Sequence, residues 1–533
     1  MRLLTEIKNF QPYTEQEKSA REKLFALLEQ YGNKMLDRDC EAGHITCSGF
    51  ILSPDLQETL MAYHLIYQSI GWTGGHADGN DDLLGVAIRE AKEETSVTQI
   101  YPISRKILSI DILPVPAHQK YGNVIPEHLH YNITYGLIAP KNQAISDKPD
   151  ENQNVHWLAI QEIKKQCTES NMIPIYEKII NRMQMIAEQK QAILAKLIQP
   201  LSDWYLENKR DLPWRKDQNP YHVWVSEIML QQTRVEAVKN YYTRFLNALP
   251  NIQALANCPE EQLLKLWEGL GYYNRVRNMQ KTAKFIIANY QGKFPETYQE
   301  IKALSGIGDY TAGAICSICY NLPTPAVDGN VLRVMARLQE DYRNILDLKC
   351  KADITKQLEK IYISPNTNCN ILTQAFMELG AIVCIPNGSP KCGICPLNTL
   401  CMAKQNQSTS LLPVRIKKHK KRIVLKTVFI LTCDNKIAIQ KRPETGLLAS
   451  LWELPNVENF LTPEQAIQQC SKWDIQPKEF IKITNKKHVF THITWEMQGI
   501  FITCNQQSAN FIWASPEELE NIYSLPTAFR CLF

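Results

Sequence analysis

Two carboxylates, a glycine turn and a set of thiols are the groups in this 533-residue chain best suited to chemistry. Glu227 stands among Trp224, Val225, Ile228, Met229 and Leu230, so folding should strip water from its carboxyl. Desolvation raises a carboxyl pKa and lets the group remain a proton donor near neutrality. Taken alone, such a Glu is more often a salt-bridged structural residue. Asp328, in Val327-Asp328-Gly329-Asn330, is a second carboxylate, and by itself it reads as the N-cap of the next helix. Gly306-Ile307-Gly308 allows a tight turn whose backbone N–H groups point outward at the start of a helix, a geometry that suits a DNA phosphate. Cys384, Cys392, Cys395 and Cys401 follow one another with seven, two and five residues between them. Four thiolates so placed bind zinc or an iron–sulfur cluster, and the spacing does not choose between these. Glu90, Glu93 and Glu94 share one helix face, where repulsion of about a few tenths of a kcal/mol per pair would be relieved by a metal. The ordinary reading of such a stretch is a solvated acidic face.

These groups need elements to hold them. Residues 1–175 read as a mixed α/β domain, with strand-like runs at 45–52 and 60–70, a glycine loop at 74–79 and a helix from about 83 to 94. Residues 175–198 have a helical, heptad-like pattern. It is read as a connector over 176–191 followed by the first helix of a central domain, with the boundary near Gln191. Leu212-Pro213-Trp214-Arg215 ends that first helical segment. The central domain, 192–405, reads as all-α and two-lobed, with a cleft between Glu227 and Asp328. Leu304, Ile307, Ala312, Ala314 and Ile315 are placed to pack two helices as a hairpin around the glycine turn. Residues 406–423 form a linker whose stretch from Arg415 to Arg422 holds six Lys or Arg, ordinarily a solvated run and here one that could also track phosphates. From 424 to 533 the apolar period becomes two, which marks a sheet-rich α+β domain.

The glycine turn, the Glu227 helix and the four cysteines together resemble the helix-hairpin-helix DNA glycosylases that carry an iron–sulfur cluster. Within these the likeness is to the MutY family, the adenine DNA glycosylases, over about residues 192–533. The resemblance implies a [4Fe-4S] cluster on Cys384, Cys392, Cys395 and Cys401, although the family's first spacing is six residues and an extra residue must bulge at Pro386-Asn387-Gly388. It implies that Glu227 protonates N7 of adenine, that Asp328 stabilises the developing oxocarbenium ion, that Asn330 helps position Asp328, and that Tyr310 supports both carboxylates by hydrogen bonding. Gly306 and Gly308 would meet the DNA backbone, Gln232 and Tyr272 would wedge into the duplex, and Trp214 would lie beside the adenine pocket. Bifunctional relatives resembling endonuclease III carry a lysine where this chain has Tyr310, so a strand-cutting lyase step is not expected.

The stretch from Gly75 to Val97 resembles a Nudix box, with Asp81 in place of the usual Glu and Ser96 in place of the Gly that follows the helix. It implies an N-terminal Nudix hydrolase domain, fused to the glycosylase, holding Mg²⁺ on Glu90, Glu93 and Glu94 against nucleoside diphosphate derivatives. The last domain resembles the Nudix-like domain of the same glycosylases. Phe490, Thr491 and His492 fall where that family reads 8-oxoguanine, and the absence of an acidic helix argues against catalysis there.

Size and composition agree with a multidomain soluble protein. Single cores rarely grow past about 300 residues, and 44% hydrophobic with 21% charged residues excludes global disorder. A net charge of +4 neither requires nor excludes nucleic acid. No signal-peptide core and no membrane-spanning run occur, so a cytoplasmic monomer without a membrane partner is expected. The expected partner is double-stranded DNA with adenine opposite 8-oxoguanine or guanine. The competing readings are an endonuclease III-like glycosylase/lyase and a Nudix pyrophosphohydrolase as the main activity.

Overall fold

The computed structural model describes residues 2–120, 123–148, 152–365, 367–416, 421–490 and 492–533. Two compact units divide the chain. The first comprises residues 1–203, 329–357 and 378–415, and the second residues 204–328, 358–377 and 416–533.

The first unit is built on a sheet whose central strand, His44–Leu52, is buried along its whole length. It runs parallel to His128–Ile138 and antiparallel to Glu58–His64 and Thr73–His76. A parallel central pair must be covered on both faces, and successive side chains divide between two layers. Ile45, Cys47 and Ile51 pack with Leu24 and Leu28 of the Glu15–Tyr31 helix and Val86 and Ala87 of the Leu83–Thr95 helix. Phe50 and Leu52 face the other way, onto Tyr176, Ile179, Ile180 and Met183. Those four residues belong to a helix running unbroken from Ile173 to Lys196. The segment expected to be a connector therefore closes the first domain, and Gln191 lies inside a helix. The strand expected over 60–70 is instead two, Glu58–His64 and Ser69–Gly71, joined by a turn. The Leu83–Thr95 helix ends at Ser96, which is left-handed, with φ 59°, and whose N–H returns to the Lys92 carbonyl.

Toward its start the central strand carries polar residues on the second face. Asn132 Oδ1 accepts from the hydroxyls of Thr46 and Ser48, each at 2.9 Å. Next along this face comes His44, which burial, and then the charges of His128 and Arg38, lower to a pKa of about 4.

The sheet of the second unit repeats this pairing scheme. Its central strand, Arg422–Cys433, is parallel to Ile493–Cys504 and antiparallel to Lys436–Lys441 and Asn456–Glu458. The outer partners correspond as well, with Pro477–Val489 taking the place of Ser109–Val115 and Ile512–Ala514 that of Asn152–Ala159. The remainder of the unit is helical, around one core that includes Trp224, Phe245, Trp267, Leu304, Ile307, Ala312 and Ile315. Among the described residues no helix is long and apolar enough to cross a membrane.

Candidate active site

Glu227 lies in the helix Pro220–Leu230, whose start is set by Asn219, its side chain accepting from the Tyr221 N–H, and by Pro220 at the first position. The helix packs against Asp309–Tyr320, the second helix of the glycine-turn hairpin. That hairpin forms as the sequence implies. Gly306 adopts φ 80°, and a Cβ there would lie 2.7 Å from Asn278 Cβ, so only glycine fits. The turn delivers Tyr310 to the first turn of the second helix, where its hydroxyl donates to Glu227 Oε2 at 2.7 Å.

The Glu227 side chain is 5% exposed. Loss of water pushes its carboxyl up to about 7; the Tyr310 hydrogen bond opposes this, the nearby Asp328 charge adds to it, and the Arg215 guanidinium opposes it again. Tyr310 is itself held well above the usual phenol range, chiefly by burial. Asp328 is half-buried and follows the loop 321–327. That loop crosses closely over the Tyr310 helix: a Cβ on Gly313 would meet the Pro325 carbonyl oxygen at 2.6 Å. The structure thus groups an acid with a pKa near neutrality, a phenol and a second carboxylate. Such a set can donate a proton to a leaving group and stabilise positive charge beside it.

The two expected wedge residues share an unusual backbone. Gln232 has φ 60° and Tyr272 φ 48°, left-handed conformations that cost about 1 kcal/mol or more outside glycine. Tyr272 is 47% exposed. One side chain braces both loops. Arg275 donates to the carbonyls of Ile228 and Gln231 on one side and of Leu270 and Gly271 on the other, and its guanidinium lies 5.5 Å from the Tyr272 ring centre. Neither Arg275 nor the electrostatic contribution of Arg215 was evident from sequence. Arg215 belongs to the Leu212-Pro213-Trp214-Arg215 stretch, whereas nothing in Asn274-Arg275-Val276 marks a brace. Trp214 is 8% exposed and packs edge-on against Tyr242 in the core.

Asn330 belongs to the first unit, where its side-chain oxygen accepts from Arg333 at 2.9 Å. The four cysteines lie there as well. Arg337, buried, donates to Cys384 Sγ at 3.3 Å and to the Ile385 carbonyl, and Cys401 Sγ donates to the Arg337 carbonyl. Burial, reinforced by the neighbouring sulfurs, pushes the Cys395 thiol up to about 12 and that of Cys401 up to about 11. In the loop between Cys384 and Cys392, Gly388 adopts φ 77° and the Lys391 N–H closes onto the Val383 carbonyl.

The three helix carboxylates do not gather into a metal set. Glu94 accepts from the Gly74 N–H at 2.9 Å, Glu90 pairs with Arg89 at 2.7 Å, and Glu93 is half exposed. Arg89 takes up Glu90 and Glu93 and a backbone N–H takes up Glu94, so the Mg²⁺ site expected there is unsupported. Phe490 packs on Trp495 and His488, His492 is exposed, and Thr491 lies outside the described residues, as do Lys417, Lys418, His419 and Lys420 of the basic run.

This arrangement coincides with a known family. The model of the HhH-GPD superfamily of base excision DNA repair proteins matches residues 225–360, which contain Glu227, Tyr310 and Asp328. The protein is a helix-hairpin-helix DNA glycosylase of base excision repair. An adenine DNA glycosylase of Buchnera aphidicola is 37% identical over 58% of this chain and 87% of its own length. Those of Arabidopsis thaliana and Mus musculus are 35% identical over 55% of this chain and 55% of theirs, and 32% identical over 62% and 76%, respectively. The chain belongs to the adenine DNA glycosylase family. The Nudix model matches residues 427–533, the C-terminal domain. The expectation that set the chain's Nudix hydrolase domain at residues 1–175 is corrected accordingly; that region shares the strand pairing of the C-terminal domain.

Proposed function

We propose that this chain hydrolyses the N-glycosidic bond of adenine opposite 8-oxoguanine or guanine in double-stranded DNA, and does so without cutting the strand. The observation that carries this reading is the buried Glu227 carboxyl, with a pKa near 7 and Tyr310 on its Oε2. Adenine is a poor leaving group as an anion, and its N7 is inaccessible within a stacked duplex. The base must therefore be flipped out, with Gln232 and Tyr272 filling the gap it leaves. Glu227, protonated near neutrality, donates to N7. The sugar then gains oxocarbenium character, which the Asp328 carboxylate stabilises by several kcal/mol in a low-dielectric site. Asn330 helps to place that segment, and water completes the hydrolysis. Tyr310 has no amine, so no Schiff base can form with the sugar.

Cys384, Cys392, Cys395 and Cys401, which follow the glycine-turn hairpin, would hold a [4Fe-4S] cluster, with Arg337 donating to the Cys384 sulfur. Bound there, the cluster would shape the loop 384–401, while Gly306 and Gly308 of the other unit would meet a DNA phosphate. The C-terminal domain is assigned to reading the base opposite adenine, through Phe490, Thr491 and His492.

The test is a duplex with a single adenine opposite 8-oxoguanine, incubated with wild type and with Glu227→Gln. Strand breaks that appear only after alkali, and vanish in Glu227→Gln, are expected. Breaks without alkali would sink the monofunctional assignment, and breaks retained by Glu227→Gln would sink the assignment of the acid.

A further inference from the structure

Four imidazoles from three adjacent strands meet at the start of the first sheet. His44 opens the central strand and pairs in register with His130 of His128–Ile138, while His76, at the end of Thr73–His76, pairs with Thr46. The ring centres of His44, His76 and His130 are separated by 5.0, 4.8 and 5.1 Å, and one nitrogen of each lies within 4.8 Å of the other two. His128 stacks on His44 at 5.2 Å.

Two details point to a missing ligand. His44 is 4% exposed, and its Nε2 is buried with no hydrogen-bond partner, an arrangement that costs about 1–3 kcal/mol unless something fills it. His128 Nδ1 is 2.9 Å from the Pro126 carbonyl oxygen, which can only accept, so Nδ1 carries the proton. Its Nε2 is then a lone pair, 3.1 Å from Nε2 of His130. A backbone carbonyl holding the far nitrogen of an imidazole is the usual support of a metal-binding histidine. The separation is close to the about 3.3 Å edge of a tetrahedron with nitrogens about 2.0 Å from its centre.

We propose that His44, His76 and His130, with His128 closing the set, bind one divalent transition-metal ion of the zinc class. All-imidazole ligation selects such ions over Mg²⁺ or Ca²⁺. The site is distinct from the acidic helix. A Cβ on Gly75 would abut Glu90, so alternation along the strand sends the next side chain, His76, to the opposite face. The ion ties together the ends of three strands, and small side-chain rotations bring the remaining nitrogens to bonding distance.

X-ray absorption on the full-length, zinc-loaded protein separates this site from the cysteines. A shell of nitrogen at about 2.0 Å is expected, against about 2.3 Å for sulfur. His76→Gln and His130→Gln, checked for folding by circular dichroism, should each lower zinc affinity at least 10-fold and remove the nitrogen shell. A sulfur-only shell in the wild type, or folded variants that retain the nitrogen shell, would overturn the proposal. Should the variants fail to fold, the wild-type shell decides alone.

Discussion

Glu227 titrates near pH 7 because its carboxyl has left water, and its two consequences for pH run in the same direction. Catalysis needs the proton, so excision should fall as pH rises through about 7, by about tenfold per unit above it. The Tyr310 hydrogen bond favours the charged form, so Tyr310→Phe should move this alkaline limb up by about one unit while lowering the plateau. A pH–rate series on both proteins checks the direction. The folded pKa lies above the ordinary carboxyl value of 4.5, so this group's contribution to stability is complete at low pH and is lost as pH rises through the folded value. Glu227→Gln should therefore be inactive yet more stable at pH 8, by on the order of 1–3 kcal/mol in denaturant unfolding. The apolar neighbours of Glu227 made its burial legible in the sequence, and the family resemblance named Tyr310 as its partner. Arg215 escaped because its effect depends on a turn folding back toward the acid, which no local pattern encodes.

At the scale of elements, the hairpin was legible because glycine at a left-handed turn has few alternatives, and Gly306 lies against Asn278 besides. Gly306→Ala should cost about 1–3 kcal/mol and weaken DNA binding in a gel-shift titration. The connector misled for the opposite reason. A heptad pattern shows that a helix has an apolar face but not which sheet it covers, and Tyr176, Ile179 and Met183 cover the first. The Arg275 brace was equally invisible, since its four carbonyl partners come together only through tertiary structure. Arg275→Ala leaves those carbonyls without their donor; it should lower stability by about 2–4 kcal/mol. Arg275→Lys keeps the charge but loses the fork. It should fold, and excision should still drop at least tenfold, because the Gln232 and Tyr272 loops lose their common anchor. Single-turnover kinetics on the folded lysine variant distinguishes that loss from instability.

On the scale of the whole molecule, the first unit joins distant stretches of chain. Glu340, 0% exposed, accepts from Tyr342, Asn406, Ser408 and Ser104, and Lys190 donates to the carbonyls of Ile103 and Glu340. A chain lacking residues 1–175 would lose Ser104, Ile103 and the sheet beneath Lys190. It should melt at least about 5 °C lower in a thermal scan followed by circular dichroism. The repeated pairing scheme of the two sheets was legible only through the resemblance of both domains to one fold, because strand pairing leaves no local trace when the residues differ. The discontinuity of the first unit bears on how the protein is made. Its N-terminal residues leave the ribosome roughly 200 residues ahead of the stretch that completes it, a delay on the order of 10 to 40 s at bacterial and eukaryotic elongation rates. For that interval the surfaces awaiting Glu340 and the cysteine loop are open to solvent, so the period of greatest exposure to misassembly falls during translation.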